Sequence, residues 1–151
     1  MKIDNTDREI LDLLQEDGRI AASHIADKLD ISIPTVTERI KKLQDSGIIQ
    51  GIHAVLDPKK LDLAMSALIT VISESSIHYK KFIQSVKKTP EVIQCFSTTG
   101  NGSHSLLVVT QNSNTLEQLL RNIQSWPGVI RTETQLILSS YKLVQNIPIY
   151  K

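Results

Sequence analysis

Within positions 32–42 the chain places Ser32, Pro34, Thr35, Thr37, Glu38, Arg39, Lys41 and Lys42. Short hydroxyls and a carboxylate can exchange hydrogen bonds with base edges, and cations can neutralise phosphates. Val36, Ile40 and Leu43 recur at helical spacing and form one apolar stripe. Thr35, Thr37, Glu38, Lys41 and Lys42 then point away from that stripe. Thr35, Thr37 and Glu38 are expected at or near base edges. Ser32, Arg39, Lys41 and Lys42 are expected at phosphates, and Pro34 suits the first helical turn, where a missing N–H costs nothing. Arg39 lies at the edge of the stripe, where it can bind a phosphate or pack its stem. Taken alone, Lys41 and Lys42 also fit an ordinary solvated face.

A second group is Gly100-Asn101-Gly102 with its flanks. Asn-Gly satisfies a tight hairpin turn, and such a turn also exposes backbone N–H groups to a carboxylate. Other chemistry is sparse. His24, His53, His78 and His104 are scattered without zinc-site spacing, and Cys95 stands alone. No nucleophile–base grouping or phosphate loop is evident, so neither catalysis nor a cofactor is expected. Cys95 reads as a small core residue, and His104 is the one histidine placed to touch a small molecule bound at the turn.

The elements that must position these groups follow from periodicity. Asp4-Asn5-Thr6-Asp7 opens a first helix, with Thr6-x-x-Glu9 matching a capping box and Ile10, Leu13 and Leu14 on one face. Residues 21–29 give a second, two-turn helix that must lean on its neighbours. Asp30-Ile31-Ser32 is the break, with Asp30 tolerant of left-handed backbone and Ser32 a cap. A third helix spans roughly 33–46 and is closed by Gly47. A short helix, a tight turn and a longer capped helix form a helix-turn-helix, in which Ala26 permits close crossing. Residues 48–56 read as a strand, and Asp57-Pro58 breaks it.

The remaining chain repeats. Strand, helix, strand is expected over 66–72, 79–88 and 90–96, then again over 106–110, 115–124 and 127–132. A shift of 37 residues lays Pro90 on Pro127, Val71 on Val108, Phe82 on Leu119 and Val86 on Ile123. Two such units predict a ferredoxin-like βαββαβ sandwich, one sheet face covered by helices and the other bare. A bare apolar face calls for a second subunit. The expected class is α+β: a winged helix-turn-helix over 1–50, a strand and linker over 51–65, and the sandwich over 66–151.

Several stretches together carry a resemblance: Asp4-x-x-Asp7-Arg8-x-Ile10-Leu11, Asp17-Gly18-Arg19, Ile25-Ala26, Ser32-x-x-Thr35-Val36-x-x-Arg39-Ile40-x-x-Leu43, Gly47-Ile48-Ile49, Pro90-Glu91-Val92, Thr99-Gly100 and Pro127-Gly128-Val129. Over essentially its whole length the chain resembles the Lrp/AsnC (leucine-responsive, feast/famine) family. The resemblance implies a cytoplasmic transcription regulator whose partners are double-stranded DNA and copies of itself, as a homodimer assembling to an octamer. It also implies an amino acid effector near Thr98, Thr99, Gly100, Asn101, Gly102, Ser103 and His104. The family often has an acidic residue three positions after the glycine, where this chain has Ser103, which cannot supply a charge for an ammonium. Two other readings stay open: a ligand-sensing module without strong DNA reading, and an enzyme like the haem-precursor decarboxylases of related fold.

The bulk numbers fit either reading. The 151 residues suit one domain or two small ones, 40% of them are apolar, and the net charge is +1. Apolar runs are far short of the about 20 residues of a membrane span. The polar start is unlike a signal peptide, and a single cysteine fits a reducing cytosol.

Overall fold

The computed structural model describes residues 2–142 and 146–150. Contacts divide the chain into two compact units, the first running to Val55 and taking in Lys142 and residues 146–150 of the described tail. The second spans Leu56–Tyr141. The Gln15 amide engages both backbone groups of Ile147, accepting from its N–H at 2.7 Å and donating to its carbonyl at 3.2 Å. Arg8 Nε donates to the Tyr150 carbonyl at 3.1 Å. Residues 143–145 and 151 of the expected sandwich lie outside the described residues.

The first unit consists of α1 (Asn5–Glu16), α2 (Ala22–Leu29) and α3 (Ile33–Asp45). Ile10, Ile25, Ala26, Val36 and Leu43 form its core, with Leu13, Leu14, Leu29, Ile40 and Ile49 around them. Each fully buried aliphatic side chain contributes about 1.5–3 kcal/mol, which holds helices too short to persist alone. The capping box lies two residues before the expected one. Asp4 is the N-cap, its Oδ1 accepting from Asp7 N at 2.8 Å, while Asp7 Oδ2 accepts from Asp4 N at 3.0 Å. Thr6 is already inside the helix. The predicted strand over 48–56 does not form a ladder; Ile52, Val55 and Leu56 are exposed there. A strand needs a partner for its backbone groups, and the described residues of this unit supply none.

The second unit is the predicted sandwich. After a 3-10 turn at Pro58–Leu61, it runs β1 (Met65–Ser73), α4 (Tyr79–Lys88), β2 (Val92–Ser97), β3 (His104–Thr110), α5 (Ser113–Gln124) and β4 (Val129–Leu136). The sheet is antiparallel, in the order β2-β3-β1-β4. Ala67, Ile69 and Val71 pair with Val108, Leu106 and His104, which places these residues on one face. Phe82, Val86, Leu116, Leu119, Ile123 and Trp126 cover that face. Trp126 meets Phe82 edge-on, ring centres 5.5 Å apart. Asn112 caps α5 through the N–H groups of Asn114 and Thr115, so the helix starts two residues before the expected position. On the opposite face, Leu68 and Phe96 are 43% and 53% exposed. The alternation that buried Ile69 left Leu68 without cover.

Candidate nucleic-acid interface

The position of α3 is set at both ends and along one side. Asp30 ends α2 in left-handed backbone (φ 53°, ψ 46°), as its sequence context predicted. Ser32 is the N-cap: its Oγ accepts from Thr35 N at 3.3 Å and lies 2.8 Å from Thr35 Oγ1. Gly47, at φ +74°, turns the chain away, and its N–H donates to Gln44 O. Val36 and Leu43 are fully buried against α1 and α2, so the opposite side of α3 faces outward.

On that side Ser32, Pro34, Thr37, Glu38, Lys41 and Lys42 are exposed, and Thr35 is half-buried. Thr37 Oγ1 donates back to Ile33 O at 3.0 Å, leaving its methyl and lone pairs outward. Lys42 Nζ and Glu38 Oε1 form an (i, i+4) pair at 2.7 Å. Hydrogen bonding to Lys42, together with its charge, lowers the Glu38 pKa. Lys41 has no ion-pair partner among the described residues.

Arg39 differs from its expected phosphate role. Its Nη1 donates to Asp4 Oδ2 at 2.7 Å and to Asp7 Oδ1 at 2.8 Å, clamping α3 to the first turn of α1. Asp7 is 4% exposed, and its two oxygens serve Arg39 and the Asp4 N–H. Bonds to Asp4 first and Asp7 second raise the Arg39 pKa, while the Asp7 backbone N–H and then Arg39 lower that of Asp4. This ion pair is neither of the two roles open to Arg39 in the sequence, a phosphate contact or a packed stem. Its partners lie more than thirty residues away in the chain, so no local pattern around Arg39 pointed to them. A shallow depression of roughly 340 Å³ beside this clamp is lined by Asp4, Asp7, Thr35, Glu38, Arg39 and Lys42, charges already paired among themselves.

In the second unit, residues 98–104 join β2 to β3. Thr98, Thr99, Gly100 and Asn101 are exposed at the tip. Gly102 lies against β1, where a Cβ would come within 2.3 Å of Thr70 Cγ2 and 3.0 Å of Val71 O. The Ser103 hydroxyl is engaged internally, 2.7 Å from Ser73 Oγ, 3.0 Å from His104 Nδ1 and 3.2 Å from Val71 O. His104, the histidine expected to touch a molecule bound at the turn, lies inside the unit. It is 3% exposed and packs on Phe82 and Tyr79 at ring-centre distances of 4.5 and 4.7 Å. Its position on β3 opposite Val71 turns it to the helix-covered face, and burial lowers its pKa. Burial raises the Cys95 thiol pKa.

Two family patterns match this chain in order: winged helix-turn-helix DNA-binding over residues 3–50, and Lrp/AsnC ligand binding domain over residues 66–147. The chain belongs to the Lrp/AsnC family. It is accordingly a helix-turn-helix transcriptional regulator with a DNA-binding unit and a ligand-binding unit. Among Lrp/AsnC relatives, the HTH-type transcriptional regulator FL11 of Pyrococcus horikoshii is 33% identical over 147 residues, covering 97% of each chain. The regulatory protein AsnC of Haemophilus influenzae is 32% identical over 91% of this chain and 93% of its own. A solved Lrp/AsnC-like structure, a transcriptional regulator of Neisseria meningitidis in complex with L-Met, superposes with a TM-score of 0.92 at 30% identity over 97% of both chains. These relatives are named as regulators, and no described helix of this chain is long and apolar enough to cross a membrane.

Proposed function

We propose that this regulator binds duplex DNA by inserting the outward side of α3 into the major groove. Thr35, Thr37 and Glu38 meet or approach base edges, Ser32, Lys41 and Lys42 hold phosphates, and Pro34 lies in the entering turn. Arg39 serves the site from behind, by fixing α3 on α1. The observation that carries this reading is the open polar side of α3, opposite a side fixed by Val36 and Leu43. The protein has no catalytic role and works in the cytoplasm.

Two copies meet through the bare sheet face around Leu68 and Phe96, and dimers assemble further, to an octamer. The dimer sets two α3 helices about 34–36 Å apart, one duplex turn, on a pseudo-palindrome. A small molecule of the amino-acid class binds at the exposed 98–101 tip of the turn, where backbone N–H groups suit a carboxylate. Ser103 offers no charge to an ammonium, so recognition of that group falls to residues outside the turn. The effector acts only if it prefers one assembly over another.

The test is a mobility shift with a duplex taken from upstream of the protein's own gene, repeated at rising salt. A shifted complex that a scrambled duplex does not compete away, and that salt dissolves, is expected. Equal binding to every fragment favours the ligand-sensing reading instead. Titrating amino acids against oligomer mass tests the effector.

A further inference from the structure

The unit that reads DNA is poor in positive charge. Residues 1–55 hold ten Asp and Glu against seven Lys and Arg. Arg39 is committed to Asp4 and Asp7, and Lys42 must exchange Glu38 for a phosphate. Phosphate binding draws its strength from cations that displace counterions, so the few cations of α3 leave room for a second source. Residues 56–141 hold eight Lys and Arg against six Asp and Glu, and half of those cations lie on α4.

Lys80, Lys81, Lys87 and Lys88 are all exposed on α4, and the helix contains no acidic residue. None of the four has an ion-pair partner among the described residues, whereas Arg121 and Arg131 of the same unit are paired to Glu117 and Glu133. The lysines form two rows, Lys80 with Lys87 and Lys81 with Lys88, each seven residues apart, with exposed Gln84 between them. Seven residues of helix span about 10 Å. One DNA strand presents about three phosphates over that distance. Helix stability accounts for Lys87 and Lys88, whose charges suit the last turn, but not for the other two. Lys80 and Lys81 sit in the first turn, where the helix dipole disfavours cations, and no (i, i+4) carboxylate offsets them.

We propose that the outward side of α4 is a second, sequence-independent phosphate-binding surface, which holds duplex DNA flanking the stretch read by α3. This rests on the DNA-binding reading above. The occupant is a duplex by charge complementarity: a regular row of phosphates matches two regular rows of ammonium groups.

The test uses the full chain and two duplexes, one trimmed to the segment that the variant carrying glutamine at positions 80, 81, 87 and 88 protects from nuclease, the other extended by about 50 base pairs on each side. Wild type is expected to bind the longer duplex at least tenfold more tightly. The variant Lys80→Gln, Lys81→Gln, Lys87→Gln, Lys88→Gln should bind the short duplex as wild type does and lose the gain with length. Its salt slope on the long duplex should fall by roughly 0.9 for each lysine that leaves a phosphate. Replacing all four with arginine should keep the gain. The proposal is overturned if wild type gains nothing with length, or if the glutamine variant keeps the gain. Lysine-dependent binding to phosphatidylserine vesicles without a length effect on DNA would assign the surface to a membrane instead. Failure of wild type to bind even the short duplex would overturn the DNA reading and this proposal together. Normal short-duplex binding without a length effect overturns this proposal alone.

Discussion

Arg39 Nη1 lies 2.8 Å from Asp7 Oδ1, and this bond fastens α3 to the one buried residue in the first turn of α1. The Arg39→Gln variant leaves the Asp7 carboxylate buried without its cation, and should lower stability by about 1–3 kcal/mol. Thermal unfolding should show a lower midpoint. A double-mutant cycle with Asp7→Asn should show coupling of at least about 0.5 kcal/mol, as expected for groups in one network. DNA affinity should fall with the folded fraction, while the salt slope stays near that of wild type, because no phosphate contact is removed.

Stability should rise with pH on the acid side of the ordinary histidine value. Burial lowers the pKa of His104, so the folded state binds fewer protons than the unfolded chain below the ordinary histidine value of about 6.5. The contribution is complete above that value and is lost as pH falls toward the lowered one. Denaturant midpoints across this range should therefore decrease with acid. His104→Gln should flatten that slope, whatever its effect on stability at pH 8.

Lys41 and Lys42 should behave differently. Lys41→Ala removes a cation with no ion-pair partner among the described residues, so it should lower affinity on all sequences and reduce the salt slope by about 0.9. Glu38→Gln frees Lys42 from its 2.7 Å pair and should strengthen non-specific binding, as measured on random duplex. If Glu38 instead accepts from a base, the same variant also loses preference for the upstream duplex.

Much of the architecture was legible because it depends on local chemistry. Asp30 and Ser32 marked the turn before α3, and the repeat relating Val71 to Val108 tied the expected strands into a sandwich. What escaped depends on distant partners. Nothing local to Arg39 says that its guanidinium reaches Asp4 and Asp7, and nothing local to His104 says that β3 turns it under Phe82. The segment at 48–56 has strand-like composition but no ladder partner among the described residues, and composition alone cannot supply one.

Gly102→Ala should disturb the 98–104 turn. The added methyl would overlap Thr70 Cγ2 and crowd the Val71 carbonyl, so the turn or β1 must shift. A loss of about 1–3 kcal/mol is expected by analogy with overpacked sites. Hydrogen exchange should quicken at the Ser103 N–H, which donates to Val71 O at 2.9 Å. Asn101→Ala, at the exposed tip, should change stability by less than about 0.5 kcal/mol.

The most direct measurement is an anisotropy titration of the labelled upstream duplex with wild type and Thr37→Glu. Thr37 lies on the exposed side of α3, away from the buried Val36 and Leu43. The account predicts an unchanged thermal midpoint and a loss of at least a hundredfold in affinity, since the new carboxylate would face the duplex. Wild-type affinity for the folded Thr37→Glu protein would contradict the claim that this side of α3 reads DNA.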